Sequence, residues 1–295
     1  MYEGIRSPAI HVPKSMTDLL SATSRFPNAI YWAGGTYIMS RHDYYPTKDS
    51  NDIISLNEIP DLKRINRTDR YLEIGSMVTI SQLLQIGKQV LPDPLTQTLQ
   101  ALGTRIIRNQ ATIGGSLCTG DLRLAISGTL AVLRTEIEIK KLDAPRSDSR
   151  WITTGKLYDR SGALTLDKHE MITRVRIGFD REDFSIFLSA GNPMYNPQES
   201  VNLALVCSYN QSVITNFRFC FTMPTGGFHQ FQDIEVLARG TMLPFSPNHI
   251  ARLAKMLGEA IDNSHVTVSL LQKERAKRFF EVALHQLNTQ SLIER

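Results

Sequence analysis

The chain has 295 residues, a length that suits two domains and a sizeable core. Hydrophobic residues make up 42% and charged residues 21%, a balance that excludes a disordered chain. The net charge of +4 comes from 33 basic and 29 acidic residues dispersed along the sequence, which argues against nucleic acid as a partner.

Cys118, Cys207 and Cys220 are odd in number and far apart, so they form neither a disulfide framework nor a CxxC metal pair. They suit a reducing cytoplasm. The seven histidines include no HxH or HExxH, so no metal site is expected. The start, Met1 to Arg6, has no apolar run behind its charges, and no stretch reaches the roughly 20 apolar residues that cross a bilayer. The expectation is a cytoplasmic protein without membrane contact.

Taken in chain order, Ser15–Arg25 reads as an amphipathic helix with Met16, Leu19, Leu20 and Ala22 on its apolar side. Ala29–Ala33 reads as a buried strand that stops at Gly34-Gly35, and Asp52–Leu56 as another strand. Tyr71–Gly75 alternates at strand period, and Thr79 is placed to cap a helix through Leu83, Leu84 and Ile86. A helix over Leu95–Leu102 ends at Gly103. Ala111–Gly115 repeats the strand-then-double-glycine arrangement. Leu122–Leu133 reads as a helix, Glu136–Ile139 as a strand, Asp143–Arg150 as a polar turn and Met171–Ile177 as a strand.

A charged run at Asp180–Asp183 marks a boundary. Beyond it, strands near Phe184–Ser189, Val201–Tyr209 and Val213–Met223 precede helices near Asn248–Asp262 and Ser269–Asn288. Strands followed by helices suggest a separate α+β domain. The basic run Lys273–Arg278 reads as the solvated face of the last helix.

The chemistry concentrates in Ala33-Gly34-Gly35-Thr36 and Thr112-Ile113-Gly114-Gly115-Ser116. Paired glycines remove the Cβ atoms that would hold a ligand off, and successive N–H groups can line a phosphate cradle. Thr36 and Ser116 add hydroxyls. Tight turns need the same glycines, and neither loop matches GxGxxG or GxxxxGK[ST]. Spacing alone leaves both readings open.

Four segments carry a family resemblance. Ile30–Thr36 resembles an apolar run followed by AGGT, and Leu72–Thr79 resembles LxIGAxxT. Ile107–Gly115 resembles IRNxxTIGG, and Glu170–Ile177 resembles a closing strand. In that order and spacing they resemble the FAD-binding subunits of molybdenum hydroxylases of the xanthine dehydrogenase and carbon monoxide dehydrogenase type.

The resemblance implies an α+β fold. A PCMH-like FAD-binding domain would occupy 1–180, in subdomains of about 1–60 and 61–180, and a smaller domain of antiparallel sheet and helices would occupy 181–295. It implies an FAD site at Ile30, Tyr31, Trp32, Ala33, Gly34, Gly35, Thr36, Tyr37, Ala111, Thr112, Ile113, Gly114, Gly115 and Ser116, with Thr119 beside the cofactor and Ile172 packed on the flavin. No catalytic acid or base is implied. Electrons would pass from iron–sulfur clusters of one partner subunit through FAD to NAD or another acceptor, while a molybdopterin-binding partner hydroxylates the substrate. Valine at Gly35 or Gly114 is then expected to abolish flavin retention and leave the chain folded.

The sequence departs from the family at Ala125, where an acidic residue is common, and at Leu188, where a basic one is. Asp121 stands close enough in sequence to compensate. The family's second-domain turn is reduced to Met223–Gly227. These departures motivate an alternative, a structural or assembly subunit that has lost or weakened its hold on FAD. Cys118 reads as a small buried cysteine, and Arg108 either as a solvated charge or as a guide for an anionic ligand.

Overall fold

The computed structural model describes residues 9–41, 52–119, 125–142, 148–159, 163–180, 182–193, 195–224, 227–264 and 268–293. Asp121 and residues 225–226 of the reduced turn lie outside them.

The first part holds β1 (Ala9–His11), α1 (Met16–Arg25), β2 (Ile30–Trp32), α2 (Thr36–Arg41) and β3 (Asp52–Ser55). Ser15 caps α1 by accepting from the Asp18 amide, and the helix buries Leu19. The three strands form a parallel sheet in the order β1-β3-β2. Only β3 is central, so only it is buried as a strand should be when both sides are covered. β2, expected to be buried, is half-buried along its length, because one flank opens on a cleft.

The second part holds β4 (Ile65–Arg67), β5 (Tyr71–Gly75), α3 (Ile80–Ile86), α4 (Asp93–Ala101), α5 (Arg105–Gln110), α6 (Ile113–Cys118), α7 (Ile126–Val132), β6 (Glu136–Lys141), β7 (Ser149–Thr153) and β8 (Glu170–Gly178). Thr79 and Gln82 close a reciprocal capping box on α3. Gly103, at φ +58°, ends the α4 segment as expected. Two expectations need correction. Gly114-Gly115 does not follow a strand: Thr112 caps α6, and both glycines lie in its first turn. The polar stretch ending at Arg150 is not all turn, because β7 begins at Ser149 and pairs with β6.

The strand order here is β4-β5-β8-β6-β7. Alternation sends Leu72, Ile74, Val175, Ile177 and Ile137 into the core. The opposite face carries a ladder of charges, because register sets Glu73 and Glu136 beside Arg176, and Glu138 beside Arg174. Arg174 donates to Glu138 at 2.6 Å and to Glu73 at 2.8 Å, and Arg176 lies 3.9 Å from the Trp151 ring centre.

Burial works against the charge of Glu138, but hydrogen bonds from Arg174 and Thr173 outweigh it and hold the carboxyl below its ordinary range. Arg150 does the same for Glu170. A depressed carboxylate stabilises the fold above its unfolded pKa, and that contribution is lost as pH falls through the folded value. The melting temperature should therefore hold near neutrality and fall once pH drops below the ordinary value of 4.5. Glu138→Gln should melt lower than wild type at neutral pH, and the gap should close in acid. Thermal melts across the acid range check this, and a gap that stays constant with pH would contradict it.

The third part holds β9 (Phe184–Ala190), β10 (Val201–Asn210), β11 (Val213–Met223), β12 (Gly227–His229), α8 (Gln232–Ala238), α9 (Pro247–Asp262) and α10 (Leu270–Ile293). Its strands run antiparallel in the order β12-β11-β10-β9. Gln211 and Ser212, both at positive φ, make the hairpin turn next to the expected Asn210-Gln211. Phe217, Phe219 and Phe221 pack under α9 and α10, where Phe280, Leu284 and Leu287 are fully buried. The other face of this sheet gives Phe187, Ala204, Val206 and Cys220 to the core built on residues 72–177. Covered on both faces, β10 is buried from Val201 to Cys207, which is why it reads as an apolar run interrupted at Asn202, whose amide is paired with Ser189 and Thr222. The class is α+β.

Candidate cofactor cleft

The two glycine loops meet. A Cβ on Gly34 would stand 1.9 Å from the Gln110 carbonyl oxygen, and one on Gly115 would stand 3.7 Å from the Ala33 Cβ. Gly35 sits at φ +70° with the Trp32 indole laid across it, where a Cβ would be 2.3 Å from the ring. The loops open on a cleft of about 650 Å³, within the range of small-molecule sites.

The first loop and α2 form one wall of the cleft through Trp32, Ala33, Gly34, Gly35 and Thr36. Met77, Thr79 and Gln82 lie on a second wall. Asn109 and Gln110 at the end of α5, with Thr112, form a third. Among the described residues that line it, Lys63 is the one charged side chain and no carboxylate is present.

The loops differ in what their backbones have free. Among the described residues the amides of Gly34, Gly35 and Thr36 donate to no protein acceptor, because they precede or begin α2. In the second loop the four amides from Ile113 to Ser116 are engaged. Ile113 donates to the Val78 carbonyl at 3.0 Å, Gly114 to Ser76 at 2.9 Å and Ser116 to Thr112 at 2.9 Å. Gly115 donates to the Thr112 hydroxyl at 3.1 Å. The first loop therefore offers the amide cradle, while the second braces it.

Of the residues anticipated from sequence, Trp32 to Thr36 and Thr112 line the cleft. Ile30 lies in β2 below it, and the Tyr31 hydroxyl turns away to Thr23 Oγ1 at 3.0 Å. Tyr37 is half-buried in α2. Ala111 and, within the second loop, Ile113, Gly114 and Ser116 are buried, Gly115 is half-buried beside Ala33, and Ile172 on β8 points into the core. The Thr119 hydroxyl donates to the Ser116 carbonyl at 3.0 Å. Ala125 ends up beside α7 at the edge of the main core, and Leu188 packs on the core of the third part.

Arg108 is neither a free surface charge nor a cleft residue. Its guanidinium donates to the carbonyls of Gln100 and Gly103 at 3.0 and 2.7 Å, tying down the end of α4. Cys118 has exposed surface as a residue, while burial of its thiol pushes the pKa up to about 12, as suits the buried cysteine read from sequence. Sequence reasoning did not single out Lys63, Asn57, Met77 or Gln82 as site residues. Asn109 and Gln110 were within reach, since both belong to the Ile107–Gly115 segment.

Residues 5–179 match the family described as the FAD binding domain in molybdopterin dehydrogenase. The chain belongs to this family. A curated relative, the putative xanthine dehydrogenase FAD-binding subunit XdhB of Escherichia coli (strain K12), is 26% identical over 171 residues, 55% of this chain and 54% of that protein. Indole-3-acetaldehyde oxidase of Arabidopsis thaliana is 22% identical over 237 residues, which cover 75% of this chain but 18% of the oxidase. The chain thus spans about half the length of the first relative and under a fifth of the second.

The fold is shared more widely than the sequence. A chain of the reconstituted CO dehydrogenase from Oligotropha carboxidovorans superposes with a TM-score of 0.79 at 17% identity, over 99% of both chains. Quinoline 2-oxidoreductase from Pseudomonas putida 86 superposes with a TM-score of 0.76 at 17% identity, over 95% of this chain and 96% of that one. In this family of FAD-binding domains, the cleft chemistry of the present chain fits a dinucleotide: free amides and a cation for phosphates, and Trp32, Met77 and Ile107 as apolar surface for rings. Among the described residues there is no helix long and apolar enough to cross a membrane, and no cluster of three or more metal-ligating side chains.

Proposed function

We propose that the cleft holds FAD and that the chain serves as the electron-transfer subunit of a xanthine dehydrogenase-like molybdenum hydroxylase. The observation that carries this reading is the meeting of the two glycine loops over a cleft that, among the described residues, has three free amides in the first loop and no carboxylate. Gly34, Gly35 and Thr36 would take the pyrophosphate, and the second loop would hold that cradle in shape. When bound, the flavin supplies redox chemistry between a partner's iron–sulfur clusters and NAD or another acceptor. The chain's own residues bind it, orient it and exclude water on the Trp32 side. Residues 1–180 would form the flavin domain, residues 181–295 would follow as a second domain, and the complex would work in the cytoplasm.

The test is purification of the tagged chain from its own cells under native conditions, followed by metal and flavin analysis. Iron and molybdenum that co-elute with it in fixed ratio to FAD are expected. A flavin-loaded chain that elutes alone would overturn the subunit assignment. The engaged amides of Ile113 to Ser116 and the apolar Ala125 favour one other reading, an assembly subunit with weakened flavin affinity, which predicts a complex that elutes intact but colourless at this subunit's site.

A further inference from the structure

We propose that Lys63 neutralises the pyrophosphate of the dinucleotide in this cleft, completing on one side the cradle whose amides come from Gly34, Gly35 and Thr36. The inference rests on the flavin reading and assigns a charge that neither glycine loop supplies.

Three observations converge on Lys63. Among the described residues lining the cleft it is the one with a charged side chain, and none of them is a carboxylate. Its sequence neighbour Asp61 is already paired with Arg64 at 2.9 Å, and among the described residues no ion pair engages Lys63 itself. Its backbone is fixed. The 3-10 turn Pro60–Lys63 is pinned by the Met77 amide on the Leu62 carbonyl and by the Gly75 amide on the Arg64 carbonyl, both at 2.8 Å.

Gly75 makes this close approach possible, since a Cβ there would meet the Leu62 carbonyl oxygen at 2.2 Å. Gly75 thus has a role in the site without touching the cleft: it seats the turn that presents Lys63. A cation on a pinned turn has less ordering cost to meet on binding than one on a mobile loop. Two phosphate charges facing only neutral amides would lack a counter-charge, and a lysine provides it as a point charge with three donors.

The test measures binding by the full chain, stripped of flavin, with FAD and riboflavin as one pair of ligands and ADP and adenosine as another. Lys63→Gln should weaken FAD and ADP by about 10-fold, in keeping with one partly solvated charge-assisted hydrogen bond. It should leave riboflavin and adenosine unchanged. FAD affinity of the wild type should fall as salt is raised, that dependence should be smaller in Lys63→Gln, and Lys63→Arg should restore most of both.

A Lys63→Gln chain that binds FAD as tightly as wild type at low salt would overturn the proposal. Equal loss for phosphorylated and unphosphorylated ligands would overturn it too, because that pattern marks a structural role. A wild-type chain that binds ADP through Lys63 but does not take up FAD would keep the anion site and overturn the flavin reading instead.

Discussion

Gly34→Ala is expected to be among the most damaging single-methyl changes available to this chain, destabilising it by about 3 kcal/mol and eliminating flavin retention together. The added Cβ would fall 1.9 Å from the Gln110 carbonyl oxygen, 2.7 Å from its carbon and 3.3 Å from the Ala111 nitrogen. These are backbone atoms at the junction of the two loops, so no rotamer change relieves the contact. One loop must move away from the other, and the cleft opens with it.

Gly114 obeys the same logic, since its Cβ would meet Ser76 Cβ at 2.5 Å and Ser76 O at 2.8 Å. Valine at Gly114 or Gly35 is therefore not the clean binding probe anticipated from sequence. It perturbs packing first. Gly115→Ala is the control, because its Cβ meets only the Thr112 hydroxyl at 2.8 Å and, at ordinary distance, Ala33. It should cost about 1 kcal/mol, in line with a weakened cap. Chemical denaturation of Gly34→Ala, Gly114→Ala and Gly115→Ala, with flavin content measured beside it, checks the ranking. Gly34→Ala with wild-type stability would contradict it.

The second large effect is expected at Arg218. This residue on β11 is 5% exposed, donates through Nε to the Val132 carbonyl at 2.7 Å and through Nη2 to Glu182 at 2.5 Å. It joins the sheet of the third part to the end of α7, and Glu182 is held in turn by the Ser208 hydroxyl at 2.8 Å. Arg218→Met would leave a largely buried carboxylate without its cation and a carbonyl without its donor. Removing one member of a buried pair costs about 3–5 kcal/mol, whereas removing both is far milder.

The melting temperature of Arg218→Met should drop by roughly 6–10 °C for a chain of this size. The double variant Arg218→Met/Glu182→Gln should recover more than half of the loss. If the single variant melted with the wild type, Arg218 would not be the pin between these parts of the molecule.

Much of the fold was legible because its periodicities are local. The α1 cap at Ser15, the capping box at Thr79, the glycine stop at Gly103 and the three long strands of the third part each follow from a few adjacent residues. The misreadings share a cause. Ala111–Gly115 looks like a strand ending in a double glycine because Ala111 and Ile113 alternate with Thr112, yet Thr112 supplies an N-cap and the Val78 and Ser76 carbonyls fix the first turn of α6. Those acceptors are more than 30 residues away in sequence. β7 was hidden because its half-exposed Trp151 and Ile152 follow a polar run, and α5 because it buries none of its residues.

For the site, the glycine pairs pointed to the right place, but they could not tell which loop keeps its amides free. Lys63 has no motif around it. Its relevance comes from Gly75, Met77 and the closing of a turn against a strand.

FAD occupancy of the cleft decides the rest. The most direct test is the visible absorbance spectrum of the purified chain, followed by acid release, identification of any yellow cofactor and, for a colourless preparation, titration with added FAD. Released FAD at close to one per chain, or uptake to that level, is expected. A folded chain that stays colourless and takes up no added FAD would contradict it.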